Sequence, residues 1–168
     1  MNYKSLEERN TTTRLVYISM LIALSFIGSL IKIQGTIALD SMPGFFAALY
    51  LGPLAGAIVA SVGHILTSLS SGFPLTLPIH LIITIEMGIV VYLFGIIYKR
   101  FNAIAACVSG ILLNGLAIVL VLAPFTIWLG LPLNGKAFIY AMVGPLTIAS
   151  AVNVILAYII YRTIGKRI

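Results

Sequence analysis

Charge is what this sequence has least of. Asp and Glu number 4 in 168 residues and Lys and Arg 10, so charged residues make up 8% of the chain. Cysteine and tryptophan occur once each, as Cys107 and Trp128. One cysteine excludes an internal disulfide and a cysteine-rich metal site, and inside an apolar run it reads as a packed thiol. With 61% hydrophobic residues and a mean hydropathy of +1.14, the scarcity of charge excludes an ordinary soluble domain and specifies an integral membrane protein. At 18.0 kDa, residues 1–168 make a single membrane domain, with no room for a soluble catalytic or nucleotide-binding unit. The net charge of +6 does not signal nucleic acid, because the basic residues flank apolar runs and form no patch interleaved with aromatics.

Catalytic signatures are missing too. There is no HExxH, no GxSxG and no Cys/His zinc pattern, so neither a nucleophile nor a metal site is visible. The stretch from Gly130 to Ala137 nearly matches GxxxxGK[ST]. Ala137 lacks the hydroxyl that magnesium needs, and no strand precedes the loop. The chain is therefore not expected to be an enzyme or to bind a cofactor.

What is present is a series of apolar runs. Leu15 to Ile31, between Arg14 and Lys32, suits one spanning helix, and the basic N-terminal residues lead into an uncleaved anchor rather than a cleaved signal. Met42 to Leu51 would be only about 15 Å long as a helix, ended by Gly52-Pro53. Helices are expected at about 12–32, 42–51, 53–70, 78–98, 102–123 and 138–161, giving an all-α protein of six transmembrane helices with a short second one. Lys4, Arg9, Arg14, Lys99, Arg100, Arg162, Lys166 and Arg167 then share a side, leaving Lys32 and Lys136 opposite. By the positive-inside rule both termini are cytoplasmic. A re-entrant hairpin over 42–70 would preserve the same charge pattern.

No Lys, Arg, Asp or Glu falls between Asp40 and Glu86, yet both histidines, His64 and His80, do. Ionisable groups in membrane helices cost roughly 2.5 to 3.5 kcal/mol on insertion scales and so face protein or a watery cavity. Counting about 1.5 Å per residue puts Glu86, His64 and Asn114 at one level on three helices, with Thr147 alongside. His80 falls nearer the outer mouth, as a rim above that floor. Asp40 either lines the mouth or caps the short helix. Asn153 lies deeper and reads as structural. Trp128 suits the interfacial belt or a stack over a ligand. The small residues Gly52, Gly56 and Ala60 suit close internal helix packing, and Ser19 and Ala23 give helix 1 a small face of its own.

The series Asp40-Ser41-Met42-Pro43-Gly44-Phe45-Phe46, Leu51-Gly52-Pro53, Gly63-His64, Ser71-Gly72-Phe73-Pro74 and His80-Leu81 resembles the S components of energy-coupling factor (ECF) vitamin transporters. It looks most like the micronutrient branch associated with α-ribazole, a cobamide precursor. The resemblance implies a multi-pass protein of a prokaryotic plasma membrane. Such a protein captures a water-soluble vitamin or precursor from outside, in a pocket closed by the loops after helices 1, 3 and 5. It would work with a transmembrane T component and two cytoplasmic ATPases, which bind the ATP, and toppling in the membrane would release ligand inward. α-Ribazole is the first expectation for the ligand, then pantothenate or another micronutrient. Asp40, His64, Phe73, His80, Glu86, Asn114, Trp128 and Thr147 are the expected binding residues. Ser19-x-x-x-Ala23 stands where the family's helix 1 carries Ala-x-x-x-Ala for docking. Met1-Asn2-Tyr3 lacks the histidines of metal-transporting relatives, so no metal site is expected. The rival readings are a proton-coupled carrier using Glu86 and an intramembrane enzyme.

Overall fold

The computed structural model describes residues 11–30, 32–33 and 37–164, with backbone alone for the paired residues 32–33 and 37–38. Among the described residues it has six helices: α1 Thr11–Gly28, α2 Met42–Tyr50, α3 Pro53–Ser70, α4 Leu77–Arg100, α5 Ala103–Trp128 and α6 Gly135–Ile164. A two-residue antiparallel ladder, Lys32–Ile33 (β1) with Ile37–Ala38 (β2), lies between α1 and α2. Five helices are long and apolar enough to cross a bilayer, and α2 is not among them. The protein is an all-α, multi-pass membrane protein.

Local chemistry sets the helix ends. α1 stops at Gly28, short of 32, where the backbone turns and the Ser29 hydroxyl bonds the Phe26 carbonyl at 2.6 Å. Asn102 lies outside α5 and caps it, accepting from the Ala105 N–H at 2.8 Å. Pro124 does not end α5, which continues to Trp128. A membrane helix tolerates such a residue when neighbouring groups satisfy the freed backbone. Thr126 then ties the two helices together, its hydroxyl accepting from the Gly135 N–H at 3.2 Å, so α6 begins at Gly135 rather than 138.

The order of levels through the bundle explains why α2 is short. The Ser25 hydroxyl bonds the Asp40 carbonyl, which places the start of α2 beside the last turn of α1. At the other end Arg14 reaches the Leu51 carbonyl at 3.5 Å, a cation at a helix C-terminus. α2 therefore fills only part of the height of the bundle. Arg14, Lys99, Arg100 and Arg162 mark one end of the bundle, where the Tyr98 ring meets those of Tyr158 and Tyr161. Lys136 opens α6 at the opposite end.

Lipid tails are as apolar as leucine, so packing rather than water exclusion joins these helices. α2 and α3 form a tight hairpin through Gly52, whose φ of 100° suits glycine. Their faces meet at backbone distance: a Cβ on Gly56 would come within 2.5 Å of the Ala48 Cβ, and one on Gly44 within 2.8 Å of the Ala60 Cβ. The small-residue stripe of α3 is thus an internal contact. Phe45 of α2 and Phe94 of α4, both fully buried, meet edge to face at 5.0 Å.

Candidate functional site

A cavity of about 90 Å³ is lined by α3, α4, α5, α6 and the two residues just before α2. Its polar wall carries Asp40, Ser41, His64, His80, Asn114, Ser150 and Asn153, and its apolar wall includes Ile83, Met87, Leu122, Phe138 and Leu146. This balance, mostly apolar with a few convergent polar groups, is typical of small-molecule sites.

The polar groups form a directed chain. Leu75 N–H faces His80 Nε2 at 3.5 Å, so Nε2 accepts and the proton of His80 sits on Nδ1. The Ser68 hydroxyl donates to the His64 carbonyl at 2.8 Å and so accepts from His80 Nδ1 at 2.9 Å. His64 Nε2 lies 3.3 Å from the same His80 nitrogen and 3.2 Å from Ser68 Oγ. With His64 Nε2 accepting, its Nδ1–H points toward the Asp40 carboxylate, 3.9 Å away, too long for a direct hydrogen bond. The tautomers are assigned from this pattern of partners. The ring donors thus run from His80 toward Ser68 and His64 and from His64 toward Asp40, while Ser68 donates to the His64 carbonyl.

Burial of Asp40 raises its pKa from 3.8 to about 6, with hydrogen bonds from Thr67 and its own backbone pulling less strongly the other way. It does not cap α2: Ser41 occupies the N-cap position, without a side-chain cap bond. Instead Asn153 ties down that end, accepting from the Met42 N–H at 2.9 Å while its amide donates to the Ala149 carbonyl. Asn153 reaches the cavity wall with both ends of its amide already engaged.

Asn114 arrives by a different device. Residues Leu112–Ala117 form a π-helical turn inside α5, a local widening often found at functional positions. A Cβ on Gly115 within this turn would lie 2.7 Å from the Thr147 Cα, so α5 and α6 touch at backbone distance. Asn114 is 7% exposed, and its amide donates to Ser150 Oγ at 2.7 Å. Its Oδ1 is buried with no partner.

Of the expected site residues, Asp40, His64, His80 and Asn114 line the cavity together. The expected separation of His64 and His80 into floor and rim is corrected, since their rings lie 5.4 Å apart. The short turn between α3 and α4, with positive φ at Gly72, Phe73 and Thr76, brings the first turn of α4 level with Ser68, one helical turn beyond His64. Phe73 is outside the lining and packs on the His80 ring at 5.8 Å. Three others stand apart. Glu86 is not among the lining residues; it is half-buried on α4, with its Oε2 buried and unpartnered. Trp128 is 79% exposed at the end of α5, where an interfacial ring would sit. Thr147 packs on Gly115. Ser19 and Ala23 are exposed on α1, and Ala23 borders an apolar groove with Tyr17, Phe46 and Tyr50. Ser68 and Ser150 are not singled out by the sequence, and Ser41 enters only within the Asp40–Phe46 series. Their i and i+4 relation to His64 for Ser68, and adjacency to Asp40 for Ser41, were the available signals. Among the described residues no three His, Cys, Asp or Glu side chains converge to hold a metal ion.

No curated protein matches the chain significantly. In fold it is similar to a solved S component of a bacterial ECF transporter, at 22% identity and a TM-score of 0.54, over 94% of this chain and 96% of that one. The family model for the ECF transporter substrate-specific component matches residues 13–165. That match spans nearly all of the six-helix bundle and the whole cavity, and by it the chain belongs to the family of ECF transporter substrate-specific components.

Proposed function

We propose that this chain captures a small water-soluble vitamin or vitamin precursor from outside the cell and binds it in the cavity between α2 and α6. The enclosed wall of Asp40, His64, His80 and Asn114 is the observation that carries the reading. Family membership supports a division of labour in which a transmembrane T component and two cytoplasmic ATPases use ATP, while this chain contributes recognition. The basic end, with Arg14, Lys99, Arg100 and Arg162, would face the cytoplasm of a prokaryotic plasma membrane. The turn carrying Phe73 then lies at the outer end, where ligand enters past His80.

α-Ribazole is the best-matching ligand: its flat heterocycle suits the apolar wall and its ribose hydroxyls suit Asp40, Asn114 and the histidines. The exposed small face at Ser19 and Ala23 would dock the T component, and toppling would turn the loaded cavity inward. The test is uptake of labelled α-ribazole by cells making this chain with and without its T component and ATPases. Uptake that needs all of them supports the proposal. Accumulation driven by a proton gradient in vesicles holding this chain alone would favour a carrier instead.

A further inference from the structure

The cavity's unmet hydrogen-bonding capacity narrows the chemistry of its ligand, given that ligand capture is the function. Asn114 Oδ1 is an acceptor buried without a partner, on a side chain 7% exposed. The amide is assigned with its nitrogen donating to Ser150 Oγ at 2.7 Å, which leaves Oδ1 as its open end. A second acceptor, the Asp40 carboxylate, lies in the same wall and is 8% exposed. His64 Nδ1 points toward that carboxylate from 3.9 Å, leaving it without a close ionic partner there. Among the described side chains lining the cavity there is no Lys or Arg.

We propose that the ligand is uncharged or cationic and presents at least two hydrogen-bond donors, one to Asp40 and one to Asn114 Oδ1. Its donors are ring or amine N–H groups or hydroxyls, and its body is apolar enough to lie against Ile83, Met87 and Phe138. A buried acceptor left unpaired weakens binding, and one that a donor reaches strengthens it, so each contact discriminates by hydrogen-bond type. A ligand carboxylate or phosphate would face Asp40 as a like charge in a low-dielectric enclosure and would leave Asn114 Oδ1 unmet. The site thereby separates a nucleoside-like ligand from its own phosphorylated form, and it disfavours pantothenate.

The test is calorimetric titration of the purified full-length protein with α-ribazole, α-ribazole 5′-phosphate, thiamine and pantothenate. A parallel sample is incubated with a small-molecule extract of cells and analysed by native mass spectrometry. Expected are binding of a neutral or cationic compound and at least about 100-fold weaker binding of anions. Asn114→Ala should weaken the bound compound about tenfold, and Asn114→Asp, which keeps an acceptor at that place, should weaken it less. A carboxylate or phosphate bound within tenfold of the best neutral compound, or recovered from the extract, overturns the ligand class while leaving capture intact. Equal affinities for wild type and Asn114→Ala overturn the contact. No bound compound in either arm fails the capture reading and the ligand class together.

Discussion

Replacing Asp40 by Asn should stabilise the empty protein while crippling its binding. The carboxyl is buried, and its pKa rises from 3.8 to about 6. A carboxyl whose folded-state pKa is raised gives stability that is fully present below the unfolded value and is lost as pH rises through the folded value. The loss therefore begins near pH 4 and is complete somewhat above pH 6. At about 1.36 kcal/mol for each unit of displacement, the ionised side chain costs the ligand-free fold about 3 kcal/mol near pH 8. Asn has nearly the same shape, keeps an oxygen for Thr67, and never ionises. Asp40→Asn should thus melt about 6 to 12 °C above the wild type at pH 8, taking 2 to 4 °C per kcal/mol for a chain of this size. Near pH 4.5 the two melting curves should converge. The assay is circular dichroism of ligand-free protein in detergent across that pH range. Subtracting the variant's profile from the wild type's removes the contributions of His64 and His80, which face the same cavity. The same substitution should weaken ligand binding about 10- to 100-fold by removing a charge-assisted hydrogen bond. A wild-type melting temperature flat with pH, or a variant that melts lower at pH 8, would refute the reasoning.

Other substitutions separate site, scaffold and docking face. Glu86→Gln should leave ligand affinity within about threefold by titration, because Glu86 lies off the cavity wall; a loss of tenfold or more would put the carboxylate back in the site. His80→Ala removes the acceptor for Leu75 N–H and the support beneath Phe73, so ligand should leave about tenfold faster in a stopped-flow chase. Gly56→Val should abolish the folded monomer on gel filtration, since a Cβ there already collides with Ala48. Ala23→Leu, on the exposed face of α1, should reduce co-purification of the T component and spare ligand binding; an unchanged pull-down would remove α1 from the docking surface.

Much of the bundle is legible in the sequence because membrane helices announce themselves by length and apolarity, and Gly52-Pro53 marks its own turn. The end of α5 was not legible. Pro124 reads as a breaker in isolation, yet the helical backbone runs through it to Trp128. The site shows the same limit. Depth counted along straight helices brings His64 and Asn114 into one layer, but says nothing of helix rotation, and Glu86, counted to the same level, is not among the lining residues. The same count separates His64 from His80, because it cannot register the tight positive-φ turn that lowers α4 beside Ser68. The π-helical turn that aims Asn114 has no periodicity of its own to betray it, though the Asn114-Gly115 pair inside an apolar helix was its one trace.

The central claim is that the wall of Asp40, His64, His80 and Asn114 holds a small molecule. Native mass spectrometry of the wild type and of an Asp40→Leu/Asn114→Leu double variant, both purified from cells supplied with α-ribazole, tests it most directly. One small molecule should be bound to the wild type, and the folded double variant should carry none. Equal occupancy of the two proteins, or a wild type that carries nothing, would contradict it.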